Sequence, residues 1–159
     1  MSSPNNPTDA AKAAQATTSP SNNTTTTLSD AHKTLFEEGL RVRREVNGSQ
    51  YVDTALKTNL TEFNRPMQEL VTEACWGSVW ARGEDVLERK TRSLLNVAML
   101  VALNRSTELA THVRGALTNG ASVEEIRETL LQAAIYCGMP AGLEGFRVAE
   151  RVINAAKEN

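Results

Sequence analysis

Cysteine is scarce in this sequence: Cys75 and Cys137 are the only two, and they form neither a C-x-x-C pair nor the dense spacing of a disulfide-stapled scaffold. No disulfide is expected, and a reduced, cytoplasmic setting fits better than a secreted one. An excess of one charge sign is equally lacking. With 17 basic and 19 acidic side chains the formal charge is -2, so nothing broad attracts nucleic acid or an anionic membrane, and any positive site has to be local. Long apolar runs are missing too. None reaches the roughly 18 residues of a membrane-spanning helix, and the first residues lack the charged-then-apolar order of a secretion signal. The chain is therefore expected to have neither nucleic acid nor membrane as a partner.

What the chain does have is helical periodicity behind a polar tail. Residues 1–27, MSSPNNPTDAAKAAQATTSPSNNTTTT, are almost entirely Ser, Thr, Asn, Pro, Ala and Gln. Such a segment cannot bury enough apolar surface to offset the entropy of ordering, so it reads as a disordered, low-complexity tail. It also lacks the arginines of a mitochondrial transit peptide. Residues 28–159 are long enough, and at 40% hydrophobic for the whole chain apolar enough, to form one domain.

Within that domain a first helix is expected from a cap at Ser29 to a stop at Gly48, with Leu35, Phe36, Leu40 and Val46 along its inner face. A short helix follows near residues 51–60. The next is opened by Pro66 and carries an apolar face of Met67, Leu70, Val71, Ala74, Cys75 and Val79. Residues 94–103 are apolar almost all round, the mark of a central buried helix. Ser122 and Glu125 have the spacing of a capping box, Gly138 ends the helix they open, and Pro140 starts a last helix to about residue 155. No strand-like alternation stands out, so the class is all-α: a compact bundle of about six helices.

The stretch NRSTELATHVRGALTNG, residues 104–120, holds one of only two histidines. On a helix of 3.6 residues per turn, Leu109, Val113, Ala116 and Leu117 form a core stripe, while Arg105, Glu108, His112, Gly115 and Asn119 share the adjacent face. His112 thus sits where an apolar and a polar face meet, a setting that tunes an imidazole. Two readings stay open. Either His112 transfers protons and Gly115 gives something close access, or His112 is a structural partner of Glu108 and Gly115 only permits helix packing.

Three segments, QELVTEACWGSVWAR, RKTRSLLNVAMLVALNRSTELATHVRGALTNG and VEEIRETLLQAAIYCGMPAGLEGFRVAERVI, together resemble the carboxymuconolactone decarboxylase family, and specifically its decarboxylase branch. The likeness runs over about residues 33–155. It is carried by the ordered set E-L-x-x-H-x-R-G-A-L-x-N-G and Y-C-G-x-P. The resemblance implies a small all-helical subunit of alkylhydroperoxidase-like fold, a homo-oligomeric ring such as a trimer or hexamer, and catalysis with no metal and no organic cofactor. It implies a carboxy-lyase of aromatic catabolism, in the β-ketoadipate pathway, acting on 4-carboxymuconolactone or a similar unsaturated lactone acid.

In that substrate the carbon losing CO2 is joined through a double bond to the lactone carbonyl, so the electrons left behind flow onto the lactone oxygen. The enzyme then has to orient carboxylates, stabilise the oxyanion and deliver a proton. His112 is the expected proton donor, Glu108 the group that orients or charges it, and Arg105, on the same face, the first-ranked carboxylate binder. Arg92 is a further substrate-binding candidate. Arg114 points nearly the opposite way and is expected in a salt bridge. Trp76 and Trp80, four apart on one helix, either wall a pocket or pack in the core or an interface, and Tyr136 is either a pocket hydroxyl or a packed aromatic.

The redox branch of the same superfamily uses C-x-x-C-x-x-x-H, but here those cysteine slots hold Arg105 and Glu108, which cannot exchange thiols. The sequence also departs from its own branch. RGEDVLERK, residues 82–90, stands where Arg-Pro-Gly-Leu is usual, and Gly142 and Gly145, in place of alanines, are expected to loosen the start of the last helix. These changes leave two alternatives: a related proton-transfer enzyme, an isomerase or dehydratase on another small acid, or a non-catalytic helical oligomerisation module.

Overall fold

The computed structural model describes residues 28–158, so the tail expected at residues 1–27 lies outside the described residues. Among the described residues there are seven α-helices, against about six expected, and no strand. They are α1 (Leu28–Asn47), α2 (Ser49–Asn59), α3 (Arg65–Val71), α4 (Arg89–Ala102), α5 (Ser106–Thr118), α6 (Val123–Cys137) and α7 (Met139–Lys157). Helix α3 runs directly into a π-helix, Thr72–Trp80. Ser29, expected as a cap, is the second residue of α1.

Helices α4 to α7 enclose the main core. Val97 and Val101 on α4, Leu109 and Val113 on α5, Ile126 and Leu130 on α6, and Val148 and Val152 on α7 all meet there, each pair three or four residues apart and so on one helical face. Burying a side chain of this size contributes about 1.5–3 kcal/mol relative to leaving it exposed. The capping box opens α6 as expected: the Glu125 backbone N–H donates to Ser122 Oγ at 3.0 Å, and the Ser122 N–H donates to Glu125 Oε2 at 2.7 Å. Lys90 Nζ, 2.9 Å from Glu125 Oε1, ties the start of α4 to that cap. Gly138, at φ 106°, turns the chain from α6 into α7.

A second layer pairs α1 with the π-helix through Val42, Val46, Trp76 and Trp80. Two glycines let the backbones meet: a Cβ on Gly39 would lie 2.1 Å from the Thr72 carbonyl oxygen, and one on Gly77 2.3 Å from that of Leu35. This contact explains why the inner face of α1 differs from the expected one. Gly39, Val42 and Val46 are buried, whereas Leu35 is exposed and Phe36 and Leu40 are half-buried. In the π-helix, i→i+5 bonding puts more residues in each turn, so Thr72, Trp76 and Trp80, four apart, face inward. Met67, Leu70 and Val79, expected inside from a 3.6 period, are exposed.

Helix α4 is also less central than its composition implies. Ser93, Val97 and Val101 are buried, but Leu95, Met99 and Leu103 are exposed, Leu103 by 66%. The helix is half core and half apolar surface. Gly142 and Gly145, expected to loosen the start of α7, instead let it pack closely. A Cβ on Gly142 would lie 2.3 Å from that of Ala134, and one on Gly145 2.9 Å from Val101 Cγ2.

Candidate active site at the α4–α5 seam

A polar seam runs between α4 and α5, directly beside the main core. Asn119 Nδ2 donates to Ser93 Oγ at 2.9 Å. Farther along the same pair of helices, Asn96 Nδ2 lies 3.3 Å from His112 Nδ1. An amide nitrogen only donates, so Nδ1 accepts and the neutral ring carries its proton on Nε2. His112 is half-buried. Burial pushes its pKa below the usual histidine range, and the Glu108 carboxylate, one turn earlier on α5, pulls it only part of the way back.

Positive charge enters from α4. Arg89 is bound by two carboxylates, Glu45 Oε2 at 2.9 Å and Glu84 Oε1 at 3.1 Å. Arg92 is different: it is half-buried, and its Nε is buried with no hydrogen-bond partner among the described residues. It lines a groove of about 500 Å3 together with Arg82, Asp85 and the apolar Val79, Val86 and Leu87, at the end of the π-helix and the loop that follows. Arg92 lies one turn before Asn96, about 6 Å along the α4 axis. Arg92 is thus the α4 residue that the groove and the polar seam share as neighbours; Asn96 and His112 themselves do not line the groove.

The other expected site residues lie apart from this cluster. Arg105 occupies the N-cap position of α5 and is exposed, two turns from His112. Glu108 is exposed and acts on His112 through charge. Trp76 and Trp80 are each only 4% exposed, their ring centroids 5.1 Å apart, packed against α1. Tyr136 is 78% exposed on α6. Arg114 makes no salt bridge among the described residues; its guanidinium sits 4.4 Å over the Tyr51 ring. Gly115 faces α1, where a Cβ would meet Asn47 Oδ1 at 2.9 Å, so the close approach it permits is helix packing.

Asn96, Ser93 and Arg82 escaped the sequence reading. Asn96 and Ser93 sit within an apolar run, and that interruption was the one available signal. Among the described residues no group of three or more His, Cys, Asp or Glu side chains is arranged as metal ligands would be, and no helix is long and apolar enough to cross a membrane.

A model of the carboxymuconolactone decarboxylase family matches residues 65–151, which span this seam and the groove. The chain belongs to the carboxymuconolactone decarboxylase family. Over 128 residues, 80% of this chain and 87% of the relative, it is 47% identical to a nitrosuccinic acid decarboxylase of Metarhizium robertsii. Over 117 residues, 74% of this chain and 85% of the relative, it is 39% identical to a 4-carboxymuconolactone decarboxylase of Acinetobacter baylyi. An uncharacterised 15.0 kDa protein of Paracoccus denitrificans is 30% identical over 135 residues, 79% of this chain and 95% of the relative.

Proposed function

We propose that this chain is a carboxy-lyase for a small dicarboxylate in which the departing carboxylate sits next to an electron sink. Nitrosuccinate is the first candidate, because the relative named for it is the more similar of the two named decarboxylases. The observation that carries the reading is the half-buried His112, held by Asn96 one turn from Arg92, whose buried Nε has no partner among the described residues.

The chemistry unites the two named substrates. In nitrosuccinate the bond between C2 and its carboxylate breaks, CO2 leaves, and the electron pair enters the nitro group as a nitronate. In 4-carboxymuconolactone the pair enters the conjugated lactone instead. Each substrate supplies its own sink, and each intermediate then takes one proton on carbon.

Arg92 holds the carboxylate that stays behind, with its planar fork matched to two oxygens. Arg82 adds positive charge to the groove, and Val79, Val86 and Leu87 give it an apolar wall. His112 presents its Nε2 proton to the carbanionic carbon. In the free protein burial holds the imidazole neutral; the two negative charges of the bound substrate draw a proton onto Nδ1, with the Asn96 amide turning its oxygen to accept it, so binding loads the acid that the second step needs. The exposed apolar stripe of Leu95, Met99 and Leu103 supports a homo-oligomer, which light scattering on the purified protein would detect.

The direct test is CO2 release from nitrosuccinate, 4-carboxymuconolactone and succinate. Release from nitrosuccinate well above the spontaneous rate, and none from succinate, which has no sink, is the expected result. No release from either activated acid would overturn the reading.

A further inference from the structure

We propose that the cavity between α1, α2 and α3 binds a small monocarboxylate, at a site separate from the groove beside His112. The cavity measures about 150 Å3 and combines the Arg43 guanidinium with the amides of Asn59 and Gln68 and an apolar wall of Ala55, Leu56 and Leu60. Among the described residues, no acidic side chain lines it.

Arg43 is a half-buried cation with no counter-charge among the described residues. Its Nη1 donates only to neutral acceptors, Gln68 Oε1 at 3.2 Å and Thr72 Oγ1 at 3.3 Å. The neighbouring arginines of α1 are bound by carboxylates: Arg41 by Glu38 and Glu45, Arg44 by Asp53 at 2.7 Å. Arg43 has no such pair among the described residues, and the groups that favour its charge are the Tyr51 hydroxyl and the Cys75 thiol rather than a carboxylate. Burial accordingly pushes its pKa down. Leaving a guanidinium partly desolvated without an anion is costly, and a carboxylate placed against its free edge would relieve that cost through charge-assisted hydrogen bonds.

The rest of the lining selects the anion. Gln68 uses its Oε1 on Arg43, which leaves its amide N–H groups as donors. Asn64 is committed elsewhere, accepting from the Thr61 N–H at 2.9 Å and donating to the Asn59 carbonyl at 2.7 Å. The space of about 150 Å3 has room for acetate or propionate. A carboxylate with a short tail satisfies both walls, whereas phosphate would put an oxygen against Leu56 and Leu60.

The test is calorimetry on the full chain with sodium propionate, sodium phosphate and a sodium chloride control at matched ionic strength. An Arg92→Met background takes the half-buried cation out of the groove at the start of α4. Saturable propionate binding is expected in that background, at least tenfold weaker when Arg43→Gln is added and intermediate with Arg43→Lys. Ala55→Leu fills the cavity without touching the guanidinium and should abolish binding, which keeps the test open if Arg43→Gln fails to fold. Undiminished binding in the folded Arg43→Gln protein, preference for phosphate, or no saturable binding above chloride would each overturn the proposal. If Arg43→Gln instead splits an oligomer that binds no propionate, Arg43 belongs to a contact between copies and the site does not exist.

Discussion

The amide of Asn96 on α4 reaches across the helix seam to within 3.3 Å of the His112 Nδ1 on α5. That contact fixes which ring nitrogen can give a proton. With Nδ1 accepting, Nε2 carries the hydrogen, and nitrogen NMR of the neutral ring should show Nδ1 as the unprotonated type. Asn96→Asp would instead accept from Nδ1–H and favour the imidazolium, so His112 should titrate at higher pH in that variant. Asn96→Leu should fold and lose turnover by about tenfold or more through misorientation. A protonated Nδ1 in the neutral wild-type ring would contradict this arrangement.

Burial of His112 also has a consequence for stability. In the folded chain its pKa lies below the usual value of 6.5, so between those two values the unfolded chain holds more protons than the folded one. Stability from this group is therefore complete above about pH 6.5 and is lost as pH falls towards the folded-state pKa. Denaturant melts at about pH 7.5 and pH 5 should show a larger acid-induced loss in wild type than in His112→Asn. An equal loss in both would mean that burial does not penalise the charged ring.

Arg92 and Arg105 compete for the role of carboxylate clamp, and their surroundings separate them. Arg92 is half-buried with a free Nε, whereas Arg105 is exposed at a helix start. Arg92→Lys keeps the charge but loses the fork, and should raise KM by about tenfold with a smaller effect on kcat. Arg105→Lys should leave both within about twofold. Steady-state kinetics with the reverse ranking would return the clamp to α5.

The glycines make a third contrast. Gly39→Ala drives a Cβ against the Thr72 backbone carbonyl, which cannot turn aside, and should cost at least about 2 kcal/mol. At Gly115 the nearest atom is the end of the Asn47 side chain, which can rotate, and alanine gains helix propensity worth about 0.5–1 kcal/mol. Gly115→Ala should therefore stay within about 1 kcal/mol of wild type in thermal or denaturant melts. Equal destabilisation by the two would refute the distinction.

The fold was legible wherever the sequence obeys one helical period. The Ser122–Glu125 box, the Gly48 and Gly138 breaks and the core stripe of Leu109, Val113 and Ala116 all appear where that spacing puts them. The reading failed where the period changes: Met67, Leu70 and Val79, expected inside, are exposed, while the π-helix turns Thr72, Trp76 and Trp80 inward and so selects the core for both tryptophans from the two readings left open. It failed again on α4, because composition cannot tell an apolar face buried within one chain from one left at its surface. The site was half legible. His112 announced itself as a rare residue on a mixed face, but the Asn96 contact spans 16 positions and two helices, and no local pattern marks it.

The most direct measurement is CO2 release by His112→Asn, on protein shown by circular dichroism and light scattering to match wild type in fold and assembly. If His112 delivers the proton, turnover of nitrosuccinate should fall by on the order of 10²- to 10⁴-fold, the usual worth of a positioned acid. Wild-type turnover in the folded variant would remove His112 from the reaction and with it the account of the seam.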